Sequence, residues 1–501
     1  MRTNSTVFVL ISVATASSWA GPMPLSEALD RMERGSHSIQ AQERKVNTAR
    51  QQRHATRGNF LPVVRMDVGF THLDRDIVLD MDPIRDAMIQ LQTYNQMQFS
   101  KADIQATIAQ QLGQLPPDQR AAAQASVTQA VTAKYQEGAR TNLETALPHF
   151  VKTSKEQNDW DASITAYQPL FHGGRILAAH RVASSRERAA SADLDRQKND
   201  LRRDFTRLYL QGSLLRSSIA LRNEAIGAIL HHRDRAKNLV DQGMADRAAL
   251  LRAEMALAEA RTALSDDSSK LESIALTLAQ MAGQEDPIVP SDSLPNPPEL
   301  PMPPDQAGRE IAARNPLIRS IAAQQEVAHR AVDVKNADFL PEIGAFGKYE
   351  FNQDAAKAAM APCWVVGVKG SINLFRGGGD WYSRSAARST EVELAALRRE
   401  AESALAAQSR RQFLTLRQSR TRHGNLLAQA DLARENHRVT SMRFEQGFST
   451  SLEVVDAWLS MQKADLERLA AAGDAWMSTQ EILWAAGRTE DFVNLWNGAA
   501  K

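Results

Sequence analysis

Cysteine is almost missing from this chain: Cys363 stands alone among 501 residues. A disulfide framework is therefore excluded, and so is a metal site built from several thiolates. Excess charge is missing too. Lys and Arg number 60 and Asp and Glu 59, which excludes a basic nucleic-acid surface as the main theme and any acidic tail. Aromatics make up 6%. Long Ala/Arg/Gln/Glu/Leu stretches favour extended helices over a compact aromatic-rich core. Beyond the N-terminus no stretch of about 18 apolar residues occurs, so no transmembrane helix is expected. Nothing marks an enzyme: there is no Gly-x-Ser-x-Gly and no His/Cys ligand spacing. Gly377-Gly378-Gly379 lacks the Gly-Lys-Ser/Thr ending of a phosphate loop. No cofactor and no resident metal are expected.

What is present begins with a leader. Arg2, the apolar Val7–Val13 and Ser18-Trp19-Ala20 before Gly21 predict a secretory signal peptide over 1–20. Gly21 is not Cys, so no lipid anchor is expected at that site.

The mature chain contains itself twice. Asn59-Phe60-Leu61-Pro62 recurs as Asp338-Phe339-Leu340-Pro341, 279 residues on. Pro169-Leu170-Phe171-His172-Gly173-Gly174 recurs as Asn373-Leu374-Phe375-Arg376-Gly377-Gly378, 204 residues on. Val240-Asp241-Gln242-Gly243 and Met281-Ala282-Gly283 recur at the same lag of 204. The change of lag places 75 extra residues in the first copy, between Pro62 and Pro169. The chain thus divides into a first repeat over 21–286, with an insertion at about 72–158, a linker over 287–304, and a second repeat over 305–501. The linker holds eight of the nineteen prolines, which predicts extended chain.

Each copy runs through a helical segment, two alternating segments, a very long helical run to a Gln-Gly break, and a returning helix. Val64, Met66, Val68 and Phe70 alternate with polar or small neighbours, as do Ile343, Ala345, Tyr349 and Phe351, and Trp364, Val366, Val368, Ile372 and Leu374. Ala162, Ile164 and Ala166 do so less cleanly. A period of two gives one apolar and one wet face. Strands of about ten residues suit a bilayer, yet a half-buried hairpin has the same pattern. The long runs, from Gly174 to Asp241 and from Gly379 to Glu445, contain no proline. At about 1.5 Å per residue each is roughly 100 Å long. Leu194, Leu201, Phe205 and Leu208 form a narrow heptad stripe, suited to helices packed side by side. Four strands cannot close a barrel, and an open edge in lipid is prohibited. Three copies would supply twelve, within the range of outer-membrane barrels. A periplasmic coiled-coil adaptor or structural protein would account for the rods alone.

These parts, in this order, resemble the TolC family of outer-membrane efflux and secretion channels. The carriers are the duplicated Phe-Leu-Pro, the Leu-Phe-x-Gly-Gly junctions and the Gln-Gly hairpin tips. The resemblance spans Leu25 to about Gly487. It implies a mainly α fold with a small β part: long antiparallel helices forming a periplasmic α-barrel, and four strands per chain in a trimeric twelve-stranded transmembrane β-barrel. It further implies a homotrimer in outer-membrane lipid that joins a periplasmic adaptor and an inner-membrane pump. It would serve a tripartite efflux pump or type I secretion system as a passive exit duct.

By the same resemblance, Gly243 and Gly447 match the tip glycines that receive the adaptor hairpin, although each also suffices as a turn glycine. Glu453 and Asp456 match the carboxylates of the periplasmic entrance; three apart, they would also make an ordinary solvated face. The family places an Arg two residues after the second tip glycine, where this chain has Ser449. Phe444 stands where the family has a hydroxylated aromatic. The family's polar pair after the first tip falls on Ala248 and Ala249. Asp246, Arg247, Phe444 and Ser449 are therefore the candidates for a gate latch built differently. The insertion would lie at the extracellular mouth, with helical composition over Pro83–Phe99 and Pro117–Gly138. Its Met81, Met88 and Met97 could bind a soft metal, but the simpler reading is gap-filling in a small helical cap. His231-His232 makes no metal site, because adjacent helical residues diverge by about 100°.

Overall fold

The computed structural model describes residues 21–299, 301–351 and 362–499. The expected signal peptide at 1–20 lies outside the described residues. The chain forms two compact units. One comprises the chain up to Asn59, Gly173–Leu340 and the chain from Asn373 on; the other comprises Phe60–His172 and Pro341–Ile372.

The first unit is helical, and its long helix pairs are duplicated to the same length. Helices α1 (Leu25–Gly35) and α2 (His37–Gly58) open copy one. After the strands come α6 (Arg175–Asp241) and α7 (Arg247–Met281), of 67 and 35 residues. Copy two opens with α8 (Pro304–Arg314) and α9 (Pro316–Asn336). It continues with α10 (Gly379–Glu445) and α11 (Ser451–Ala485), again of 67 and 35 residues. A last helix, α12, covers Thr489–Ala499. In each copy the long helix packs against two shorter ones: α6 against α2 and α7, α10 against α9 and α11.

Glycine punctuates this order. Both long helices start after a Gly-Gly pair with positive φ, Gly173-Gly174 and Gly377-Gly378, a conformation that side chains with a Cβ resist. The opening segment of each copy, expected as one helix, is broken once. Asn315 sits extended before Pro316, where α geometry is disfavoured. Its side chain accepts from the Leu317 N–H at 2.9 Å and donates to the Ala485 carbonyl at 2.8 Å. The equivalent break in copy one is at Ser36.

The core gathers α1, α6, α7, α11 and α12 around fully buried Trp476, Trp496, Phe492, Phe205 and Tyr209. Among its described residues the proline-rich segment forms no helix before Pro304, and it is stitched into this core. Met23 exchanges backbone hydrogen bonds with Val289 and Ser291. Asp292 accepts from the Tyr209 hydroxyl at 3.0 Å and from the Trp496 indole at 2.9 Å.

The second unit carries an antiparallel sheet in the order β1-β4-β5-β6. Its strands are β1 (Val63–His72), β4 (Asn158–His172), β5 (Glu342–Glu350) and β6 (Trp364–Ser371). β6 stops at Ser371, so Ile372 and Leu374 fall beyond the strand. The 75-residue excess prolongs β1 and β4 through a second ladder, β2 (Ile77–Asp80) with β3 (Val151–Lys155). Between these lie α3 (Asp82–Phe99), α4 (Lys101–Gly113) and α5 (Arg120–Ala146). Met81 and Met88 are exposed and fill no gap within the chain, which corrects the simpler reading for those two; Met97 is half-buried against the cleft between α3 and α5.

Candidate functional site

The sheet has two unlike faces. Register sets Val64 beside Ala166 and then Gly347 and Val366; the next row is Met66, Ile164, Tyr349 and Trp364. Phe70 meets Trp160 at 4.9 Å between ring centroids. The opposite face carries Arg65, Thr165, Lys348 and Val365 in one row, Asp67, Ser163 and Glu350 in the next, and Val63, Tyr167, Phe346 and Gly367 in the row nearest the helical end, so it is the more polar of the two. The apolar face is bare: Val64, Met66, Val68, Trp364, Val366 and Val368 are each at least 60% exposed. In water such a face would be costly at about 25 cal/mol per Å². In lipid it is the favoured arrangement, with aromatics gathered where apolar and polar phases meet. Among the described residues no helix is long and apolar enough to cross a membrane.

The helical unit offers a second site at its two hairpin tips. Gly243 has φ 73° and Gly447 φ 82°. Met244 N–H reaches the Leu239 carbonyl and Gly243 N–H the Val240 carbonyl, at 2.8 and 2.9 Å. Phe448 with Arg443, and Gly447 with Phe444, repeat this pair of bonds. These bonds satisfy the last carbonyls of each long helix, and the left-handed residue they require is glycine. A Cβ added at either glycine would meet nothing within 4 Å.

Between the tips lies a groove of about 480 Å³, lined among others by Met244, Asp246, Arg252, Gly447, Ser449 and Thr450. Asp246 caps α7 through the Ala248 N–H, and Arg247 is exposed beside it. Phe444 is buried inside the tip with Ala236 and Val454, so its contribution within the chain is packing. Glu453 is the third residue of a capping box with Thr450, and it also accepts from the Ser449 hydroxyl. The Ser449 hydroxyl and then the Thr450 backbone N–H hold the Glu453 carboxyl below its usual range. Thr450-x-x-Glu453 is itself a helix-start signature, readable in the sequence beside the acidic pair. Asp456 is exposed one turn further along.

One residue the sequence reading set aside ties the tips together. His232 of α6 is buried, and its Nε2 lies 2.9 Å from Ser451 Oγ. The Ser451 hydroxyl donates to the Ala249 carbonyl of α7 at 3.1 Å, so His232 Nε2 is the donor. The ring packs edge-on against Phe444 of α10, 4.9 Å between centroids. Four helices meet here. Burial, followed by the nearby His437 and His231, lowers the His232 pKa to about 4.

The family model for outer membrane efflux proteins matches residues 150–284 and 307–488, more than half of the chain, in two segments. The chain belongs to the outer membrane efflux protein family. It is an outer-membrane efflux channel protein, and its duplicated helical and strand parts are those of TolC-like channels. The solved structures agree on the fold. VceC of Vibrio cholerae is 12% identical, with 92% of this chain and 96% of that chain covered and a TM-score of 0.66. The CmeC outer membrane channel of Campylobacter jejuni is 12% identical, covering 95% and 89%, with a TM-score of 0.65. The MtrE outer membrane channel of Neisseria gonorrhoeae, in its open state, is 14% identical, covering 93% and 89%, with a TM-score of 0.64. No curated sequence matches the chain. The channel's place is the outer membrane, and its fold extends into the periplasm.

Proposed function

We propose that three copies of the efflux channel pair their sheets edge to edge, giving a twelve-stranded barrel continued by a helical tunnel. The observation that carries this is the sheet itself: it has a bare apolar face, and among the described strands β1 and β6 are its edges. An edge in lipid leaves backbone groups without partners, at several kcal/mol each. Pairing β6 of one copy with β1 of the next removes both edges. The polar face then lines the lumen. In this reading 1–20 is a signal peptide, the chain catalyses nothing, and cargo is driven by an inner-membrane pump through a periplasmic adaptor. Light scattering on detergent-extracted protein should give a trimer mass, and planar bilayers should show conductance. A water-soluble monomer would overturn the assignment.

The tip groove is the surface we assign to the adaptor. Open space around Gly243 and Gly447 makes a decisive substitution available. Gly447→Leu costs about 1–2 kcal/mol for the left-handed backbone and projects a side chain whose Cβ meets nothing within 4 Å in its own chain. Pump-dependent efflux in cells should fall about ten-fold or more, the scale of one blocked contact in a packed interface. Trimer yield should be unchanged. Full efflux would remove the groove from the adaptor contact.

Glu453 and Asp456 are assigned to the periplasmic entrance, six carboxylates in a trimer, with Asp246, Arg247, Phe444 and Ser449 around the latch. Glu453→Gln keeps the capping box, since Gln serves at that position; Asp456→Asn is placed with it. Cation-over-anion permeability should drop about two-fold or more, as expected when a charged ring is neutralised. An unchanged ratio would take the pair out of the pore.

A further inference from the structure

The insertion contains a helix, α3, with a buried side and, about a third of a turn round from it, an exposed apolar one. One side of α3 turns Arg85, Ile89 and Thr93 inward and buries them. Arg85 Nε donates there to the Leu147 carbonyl at 2.7 Å. The other side shows Ile84, Met88, Leu91 and Phe99, spaced by whole turns, at 57, 49, 62 and 87% exposure. A surface helix ordinarily turns its apolar stripe to its own core; here the large apolar side chains face out, which marks a surface for a partner to cover.

The insertion does not hold itself together by its own interior. Across 82–146, Ile89, Ile104 and Val131 are the buried apolar side chains among the described residues. A cleft of about 480 Å³ lies between α3 and α5, lined by Thr93, Tyr94, Gln136 and Arg140 among others. A segment of this size needs a larger core or an outside partner. Its charge favours one particular partner. Five basic and six acidic side chains are mixed along 82–146, so identical copies would not repel. Its point of attachment favours the same one. The insertion springs from the end of β1, an edge strand of the sheet, which is where the next copy must begin.

We propose that the outer side of α3 packs against the insertion of a neighbouring copy, so that three insertions close into a helical collar. The inference rests on the trimeric channel assigned above. In a ring the contact is head-to-tail, so α3 of one copy meets a different surface of the next. The bare apolar stripe is then interior to the assembly, and each insertion gains the core that it lacks alone.

The test places the photo-crosslinker p-benzoylphenylalanine at Leu91, and separately at Phe99, in the full chain purified in detergent. Mass by light scattering is measured on the same samples. A trimer that yields covalent dimers and trimers on irradiation is the expected result. A trimer that yields no interchain product from either position overturns the collar and leaves the channel assignment standing. A monomer overturns both.

Discussion

Trp476→Ala should destabilise the helical unit by about 3–5 kcal/mol, the range for removing a fully buried large aromatic. The ring of Trp476 is fully buried and stands nearly perpendicular to Trp496, 4.9 Å between centroids, and to Phe492, 5.8 Å. Its indole N–H donates to the carbonyls of Pro295 and Asn296 at 3.1 and 3.2 Å. One side chain thus joins α11, α12 and the proline-rich segment. Alanine leaves a cavity that three elements cannot close together, and it strands two carbonyls. Trp476→Phe refills part of the volume and still loses the donor, so it should cost less than half as much. Thermal unfolding in detergent, followed by helix ellipticity, measures both. A loss under about 1 kcal/mol for the alanine variant, the level of an ordinary surface change, would deny this residue its place as the hub.

Acid should loosen the hairpin tips. His232 is neutral in the packed tip, with a pKa near 4, against an ordinary value of 6.5. A displaced and hydrated His232 binds a proton more readily than the packed one. Stability of the packed tip is therefore full above pH 6.5 and is lost as pH falls from 6.5 towards 4. The whole window is worth about 3 kcal/mol, and at pH 5 the displaced form gains about 30-fold. Hydrogen exchange at the tip amides around Gly243 and Gly447 should accelerate accordingly between pH 7.5 and 5, after correction for intrinsic rates. The titratable groups that line a common cavity with the ring, from α6 and α10, are His231, Arg235, His437, Arg438 and Glu445; Ser451 meets it from α11 and Ala249 stands behind that hydroxyl. His437 is also lowered by burial, so His232→Gln should remove most of the acid response and leave the remainder. An unaltered response in that variant would place the switch elsewhere.

Much of this architecture was legible because the chain marks its own boundaries. Gly-Gly and Gln-Gly fix both ends of each long helix, and alternation at Val64–Phe70 fixes which face of the sheet is apolar. The shorter features were hidden for physical reasons. The break at Ser36 has no proline to announce it, whereas Asn315-Pro316 does. The second ladder, β2 with β3, is four and five residues long and too short for periodicity to register. The aromatic core draws on Trp476 and Phe205 from different repeats and on Trp496 from the last helix, so no local window contains it. His232 reads the same in sequence whether it faces water or three other helices. At Glu453 the structure shows a helix cap with Thr450, a role written in the Thr-x-x-Glu spacing, whereas the entrance role proposed for it comes from the family resemblance.

The paired lengths of the rods set a condition on how this protein can change over time. Because 67 and 35 residues occur in both copies, the two tips stop at a common level. Seven residues gained by one rod pair alone would move its tip about 10 Å and leave a stepped rim. Any lasting change of reach must therefore arise twice, once in each half of the gene.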